Sequence, residues 1–268
     1  MDSFPSTAVE RTPSTSGTSP SIETWPEDLK VRALGSVERA PLGYLEFLPP
    51  GYGDGVLRPL LIFFHGAGEA GDGSEEALTL VTKLGIPELI AGGEWPADRP
   101  FVVLSPQYGP ETASSDCDLA AEVASILDFA INHYQVDADA VYLTGISCGA
   151  IGVWDYLAVH GDEVVAAAVP ISGHAEWALE KAGCEVLGEV PVWAFHGALD
   201  EVVAPIHIQG PIDQIRACND SDATEIRLTV YPDADHFDHD AWRRTYDLSA
   251  GHDIYAWLLS HKRESNGG

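Results

Sequence analysis

The stretch V141-Y-L-T-G-I-S-C-G-A-I-G-V-W154 decides how this chain is read. A run rich in β-branched residues ends in Gly145-Ile146-Ser147-Cys148-Gly149 and continues as an apolar helical pattern. This is G-x-S-x-G where a strand turns sharply into a helix. Ser147 needs a tight, strained turn so that its hydroxyl stands clear of the sheet. Gly145 and Gly149 lack a Cβ and let strand and helix approach closely around it. The bland reading is a glycine-rich turn with an ordinary serine. The strand before and the helix after favour a nucleophile.

Working outward, Pro59-Leu60-Leu61-Ile62-Phe63-Phe64 reads as a buried strand running into His65-Gly66-Ala67-Gly68-Glu69-Ala70-Gly71. A glycine-rich loop after a central strand can turn backbone N–H groups towards an oxygen that becomes negative. One donor is expected from Ala67 or Gly68 and the other from Cys148, the residue after Ser147. Downstream, Val192-Trp193-Ala194-Phe195-His196-Gly197 is a further buried strand, followed by Ala198-Leu199-Asp200-Glu201. An Asp just past a strand end can orient a histidine and stabilise its imidazolium. Asp200 is favoured, with Glu201 the weaker alternative. The strand Ile226-Arg227-Leu228-Thr229-Val230-Tyr231 leads into a loop holding His236 and His239. Serine, acid and histidine thus follow in the order Ser, Asp, His.

The chain resembles the α/β-hydrolase esterases grouped with polyhydroxybutyrate depolymerase-like, dienelactone hydrolase-like and feruloyl esterase-like proteins. The matching pieces are HGAGEAG at 65–71, LSPQ at 104–107, VYLTGISCGAIGVWDYL at 141–157, WAFHGALDEVV at 193–203 and HDAWRRTYDLSAGHDIYAWLLSHK at 239–262. The resemblance implies Ser147 as nucleophile, Asp200 as acid and a histidine before Trp242 as base. In that group the base sits in a short loop resembling Y-P-x-x-x-H-D-x-W. Here the loop is longer, so counting forward from Tyr231-Pro232 selects His236, and counting back from Trp242 selects His239. His239 is favoured, because a helix starting near Trp242 would hold its neighbour more rigidly. A third reading gives Asp233, Asp235, His236, Asp238, His239 and Asp240 to a divalent cation. With Ser147 and Asp200 awaiting a base, no metal and no cofactor are expected. His65, His196 and His174 are read as structural, pocket-lining or solvated residues.

Acidic residues number 42 against 14 basic ones, giving a formal charge of −28. The lysines are Lys30, Lys83, Lys181 and Lys262. Such a surface repels nucleic acid and anionic membranes, and repels itself at low salt. No nucleic-acid or membrane partner is expected; the expected partner is a small-molecule or oligomeric ester. A salt-loving source and a merely acidic secreted enzyme both fit. Cys117, Cys148, Cys184 and Cys218 form an even set. Their places relative to the predicted elements pair Cys117 with Cys148 and Cys184 with Cys218. Four small buried thiols are the alternative. Disulfides would place the chain in an oxidising, extracytoplasmic compartment.

Residues 1 to about 24 are rich in Ser, Thr and Pro and are expected to be a disordered tail. The tail lacks the apolar run of a signal peptide, so export would need a leader outside this chain or another route. Nor does any stretch approach the roughly 20 apolar residues of a membrane span. Residues 25–264 are expected to form one α/β domain, with 265–268 a short C-terminal tail. Strands are predicted near 43–48, 59–64, 101–105, 140–145, 165–171, 190–196 and 225–231. Helices are predicted near 76–91, 118–134, 148–160, 206–217 and 252–262. The alternation predicts a mostly parallel sheet covered on both faces, with the site at the strands' carboxyl ends. Residues 172–189 leave room for no large lid, and Trp177 is placed either at the pocket rim or in ordinary packing. The expected function is a serine esterase. The alternatives are a serine peptidase of the same fold, a catalytically silent binding protein, and a metal-dependent role for the Asp/His loop.

Overall fold

Two apolar patterns interleave on the central strands, and each fills a different face of one sheet. On β3 (Arg58–Phe64), Leu60, Ile62 and Phe64 pack into one core, while Leu61 and Phe63 pack into the other. This is the period-two alternation of a strand buried on both sides. The computed structural model describes residues 28–114, 116–218, 224–232 and 239–263. Both expected tails, 1–24 and 265–268, and His236 lie outside the described residues.

The other strands are β1 (Leu29–Arg32), β2 (Gly43–Phe47), β4 (Val102–Gln107), β5 (Val136–Ile146), β6 (Ala167–Ile171), β7 (Val192–Gly197) and β8 (Ile226–Tyr231). They form one sheet in the order β1-β2-β4-β3-β5-β6-β7-β8. The pairs β1–β2 and β2–β4 are antiparallel and all others are parallel. The helices are α1 (Glu75–Leu78), α2 (Gly85–Ala91), α3 (Pro110–Ser114), α4 (Ala120–His133), α5 (Cys148–His160), α6 (Glu176–Leu187), α7 (Ile206–Cys218), α8 (Ala241–Tyr246) and α9 (Ile254–Leu259). Buried residues of α4 to α7 join the core on one face, and those of α2, α8 and α9 join the core on the other. On α4, Val123, Ile126, Leu127 and Ala130 form the buried stripe. The first ten residues of α5, Cys148 to Leu157, are all buried, which fits a helix that is apolar nearly all round.

The differences from the sequence expectations have local causes. The single helix expected over 76–91 is broken into α1, a 3-10 turn at Val81–Lys83 and α2. Leu84 is extended and Gly85 takes φ +70°, where a Cβ would press into the Phe63 ring. Pro87 then sits in the first turn of the new helix, where its missing N–H costs nothing. Segment 172–189 holds α6, which the sequence reading passed over; Gly183, at φ 79° and ψ 168°, kinks it and spoils its periodicity. Strand β1 was also passed over. It is short, and its Arg32 reaches across to β2 and grips Glu46 with Nε and Nη2 at 3.1 and 2.8 Å. The last helix is shorter than expected, at 254–259, and His261 is half-buried beyond its end, against Trp257. Cys117 lies before α4, in a turn at φ 60°. Both expected disulfides, Cys117–Cys148 and Cys184–Cys218, are present. Among the described residues no helix is long and apolar enough to cross a membrane.

A crevice of about 270 Å³ beside α5 and α6 is lined by Asp116, Asp118, Asp155, Trp177 and Lys181. Trp177 is 43% exposed there and meets the edge of His174, so it is a rim residue of this crevice. Burial, reinforced by Asp118 and opposed by Lys181, pushes the Asp155 carboxyl from 3.8 to about 6. A carboxyl whose pKa rises on folding favours the native state while protonated and loses that advantage as pH climbs through the window from 3.8 to about 6. Asp155→Asn is therefore expected to raise Tm by about 2–4 °C at pH 7 and to leave it unchanged near pH 4. Thermal scans at the two pH values check this, and an equal shift at both would remove the charge as the cause.

Candidate active site

The site forms where β3, β5 and β7 end. At the end of β5 the chain reverses direction within one residue. Ser147 has φ 50° and ψ −118°, a region that side-chain-bearing residues enter at a cost. The turn is held by Ser147 N–H donating to Ile171 O at 2.9 Å, and by Ala150 and Ile151 N–H donating to Ser147 O. A Cβ on Gly145 would stand 2.5 Å from the Gly149 carbonyl, and one on Gly149 would collide with the carbonyls of Phe64 and His65. Both glycines are thus required by backbone meeting backbone.

His239 lies just before α8. Its Nε2 is 2.9 Å from Ser147 Oγ and its Nδ1 is 2.8 Å from Asp200 Oδ2. The Trp242 ring stands edge-on to the imidazole, 5.2 Å between centroids. Asp240 caps α8 by accepting from Arg243 N–H. Of the residues in the alternative metal reading, His239 and Asp240 are described, while Asp233, Asp235, His236 and Asp238 lie outside the described residues. With Asp200 and Ser147 on its two ring nitrogens, His239 has none left for a metal.

Asp200 follows β7 and is buried. Its Oδ1 accepts from the N–H groups of Val202 and Val203, both at 2.9 Å. Burial works to raise its pKa, but hydrogen bonds from His196, His239 and Val203 outweigh it and hold the carboxyl well below the usual range. Glu201, the weaker alternative, is exposed beside it.

The glycine-rich loop after β3 reaches the same place. A Cβ on Gly66 would come within 3.7 Å of Ser147 Cβ. Ala67 and Gly68 open a 3-10 turn, Ala67–Glu69, and both are exposed. Cys148 is the first residue of α5, where a helix has no internal acceptor for its N–H. Cys148 adjoins Ser147 in the chain, and Gly66, next to Ala67, is the loop residue that approaches it.

Sequence reasoning missed what braces this loop. Gln107, at the end of β4, donates from Nε2 to Glu69 O and Ala77 O at 2.9 and 2.8 Å, and accepts from Gly73 N–H at 3.0 Å. Tyr108 donates its hydroxyl to His65 O and stacks on the His65 ring, 3.9 Å between centroids. The one sequence signal was LSPQ at the end of an apolar strand. His65 itself is fully buried, with Nδ1 donating to Gly66 O and Nε2 accepting from Tyr108 N–H. Burial, partly offset by the Gly66 bond, lowers its pKa to about 4 and keeps it neutral. His174 packs on Trp177 away from these contacts, and burial lowers its pKa too.

No family model and no curated protein matches the chain. Solved structures do. A thermostable esterase superposes with a TM-score of 0.65 at 22% identity; 88% of this chain is covered, and the chain spans 64% of that esterase's length. Thermogutta terrifontis esterase 2, phosphoramylated by tabun, aligns at TM-score 0.58 and 16% identity over 87% of this chain and 95% of that one. A protein assigned as a dienelactone hydrolase from Klebsiella pneumoniae aligns at TM-score 0.57 and 17% identity over 86% and 98%. At such identities the likeness speaks for architecture, and with the strand order above it establishes that this chain carries the α/β-hydrolase fold.

Proposed function

We propose that the protein is a serine esterase acting on carboxylic esters. The observation that carries this reading is the unbroken chain Ser147 Oγ, His239, Asp200 at 2.9 and 2.8 Å, set on a strained elbow. His239 takes the proton from Ser147 as its oxygen attacks the ester carbonyl. Asp200 holds the imidazole and stabilises the imidazolium. The N–H groups of Cys148 and of Ala67 or Gly68 receive the negative oxygen. His239 then gives its proton to the departing alcohol, leaving an acyl group on Ser147. Water, deprotonated by the same histidine, attacks the acyl carbon; the bond to Ser147 Oγ breaks, the histidine returns the proton to Oγ, and the acid leaves. The names of the similar structures support ester rather than peptide substrates, and one of them was phosphorylated by paraoxon. Two disulfides and the acidic composition fit an extracytoplasmic enzyme, which we include in the reading.

Hydrolysis of a p-nitrophenyl ester series from acetate to octanoate tests the activity. Turnover of any member supports the reading, and inactivity across the series with cleavage of peptides would replace it by a peptidase. A charge of −28 repels itself less when salt shortens the Debye length from about 10 Å at 0.1 M to about 3 Å at 1 M. Tm is accordingly expected to rise by several degrees over that range of NaCl. A flat Tm would remove the high-salt adaptation.

A further inference from the structure

Asp200 is held from two sides by histidines, and the proposed mechanism uses only one of them. His196 is fully buried at the end of β7. Its Nε2 lies 2.8 Å from Val203 O and 3.2 Å from Asp200 Oδ2. Both neighbours are acceptors, so Nε2 must carry a proton, which it donates to Val203 O with Asp200 Oδ2 close beside it. Nδ1 of the same ring is buried and meets no hydrogen-bond partner among the described residues.

The Asp200 carboxylate then stands among four N–H groups: Val202 and Val203 N–H donate to Oδ1 and His239 Nδ1–H to Oδ2, while His196 Nε2–H, bonded to Val203 O, lies 3.2 Å from Oδ2. Four is about the capacity of a carboxylate. The same His196 N–H ties Val203 O, so one ring fastens the carboxylate to the backbone of the loop that carries it.

We propose that His196 is a positioning residue for the acid: it fixes the Asp200 carboxylate towards His239 and takes up part of its negative charge. The proposal rests on the serine-hydrolase reading. Without His196, Oδ2 loses a competing donor and bonds His239 Nδ1–H more strongly, while the carboxylate gains freedom to turn. The first effect stabilises the imidazolium, and the second spoils the geometry of proton transfer.

The test compares His196→Leu, which has no donor, with His196→Gln, whose amide nitrogen can reach the position of Nε2. His196→Asn, polar but shorter, serves as a further non-rescuing variant should the leucine protein fail to fold. In His196→Leu or His196→Asn, kcat is expected to fall on the order of tenfold with KM little changed. The acid limb of the kcat/KM profile should move to higher pH, and His196→Gln should restore most of both. On a Ser147→Ala background, the low-field proton resonance of His239 Nδ1–H should move further downfield in the non-donor variants and return in His196→Gln. A kcat and acid limb unchanged in folded His196→Leu or His196→Asn, with an unmoved resonance, overturns the proposal. If wild type hydrolyses no ester while the resonance still responds, the esterase reading fails and the contact stands.

Discussion

Ser147→Ala is expected to lower kcat/KM for ester hydrolysis by roughly 10⁴- to 10⁶-fold, with Tm within a degree or two of wild type. The size follows from what the hydroxyl does. It supplies the attacking oxygen, and among the described residues no other hydroxyl stands within hydrogen-bond reach of His239. What survives would come from the proposed backbone donors, Cys148 and Ala67 or Gly68, and from substrate binding. His239→Ala should cost about as much. The double variant Ser147→Ala/His239→Ala should be little worse than either single one, because the two residues act as a unit. Asp200→Asn should fall about 10⁴-fold, since an amide on the Nδ1 side presents a donor where His239 needs an acceptor. Additive losses would mean that Ser147 and His239 act separately, against the mechanism. Covalent labelling by paraoxon should occur in wild type and vanish in Ser147→Ala. A wild type that takes no label would revive a silent binding protein on this fold.

The parts of this site that could be read from sequence are those where backbone geometry dictates residue type. Gly145 and Gly149 are fixed by carbonyls at distances that no Cβ tolerates, so their spacing around Ser147 carries the elbow directly. The alternation on β3 is visible because both faces of that strand are buried and nothing polar interrupts it. What was not legible depends on where distant pieces meet. Strand β1 is four residues with charges at alternate positions, and Arg32 meets Glu46 diagonally across the pair with β2, a contact between residues 14 apart in sequence. The kink at Gly183 broke the period that would have announced α6. Counting alone left His236 and His239 equal, because the loop before Trp242 is long. His196 and Asp200 are four apart, but across a strand-to-loop turn, where that spacing implies no contact by itself. Gln107 and Tyr108 act on a loop that precedes them by a whole helical layer, a relation only the folded sheet creates.

The second large effect is expected at the disulfide beside the elbow. Cys148 is both the residue whose N–H is proposed to face the developing oxyanion and the partner of Cys117, 31 residues earlier. Closing a loop of this length restricts the unfolded chain by about 4 kcal/mol in the chain-entropy account. Cys117→Ala/Cys148→Ala should therefore lose about 2–4 kcal/mol, or roughly 5–15 °C in Tm. Cys184–Cys218 closes a nearly equal loop, with a separation of 34, between α6 and the end of α7. Its double alanine variant should lose a similar amount, since the unfolded state is relaxed equally. Activity below Tm separates the two. Cys148 is anchored at the first turn of α5, and Cys117 ties that turn to the residues before α4, so removing this bridge frees the N–H next to Ser147. A several-fold drop in kcat is expected for Cys117→Ala/Cys148→Ala and none for Cys184→Ala/Cys218→Ala. Equal kcat in the two variants would show that the elbow is held by Ile171 O and the α5 backbone alone, and that the bridge acts only through the unfolded chain.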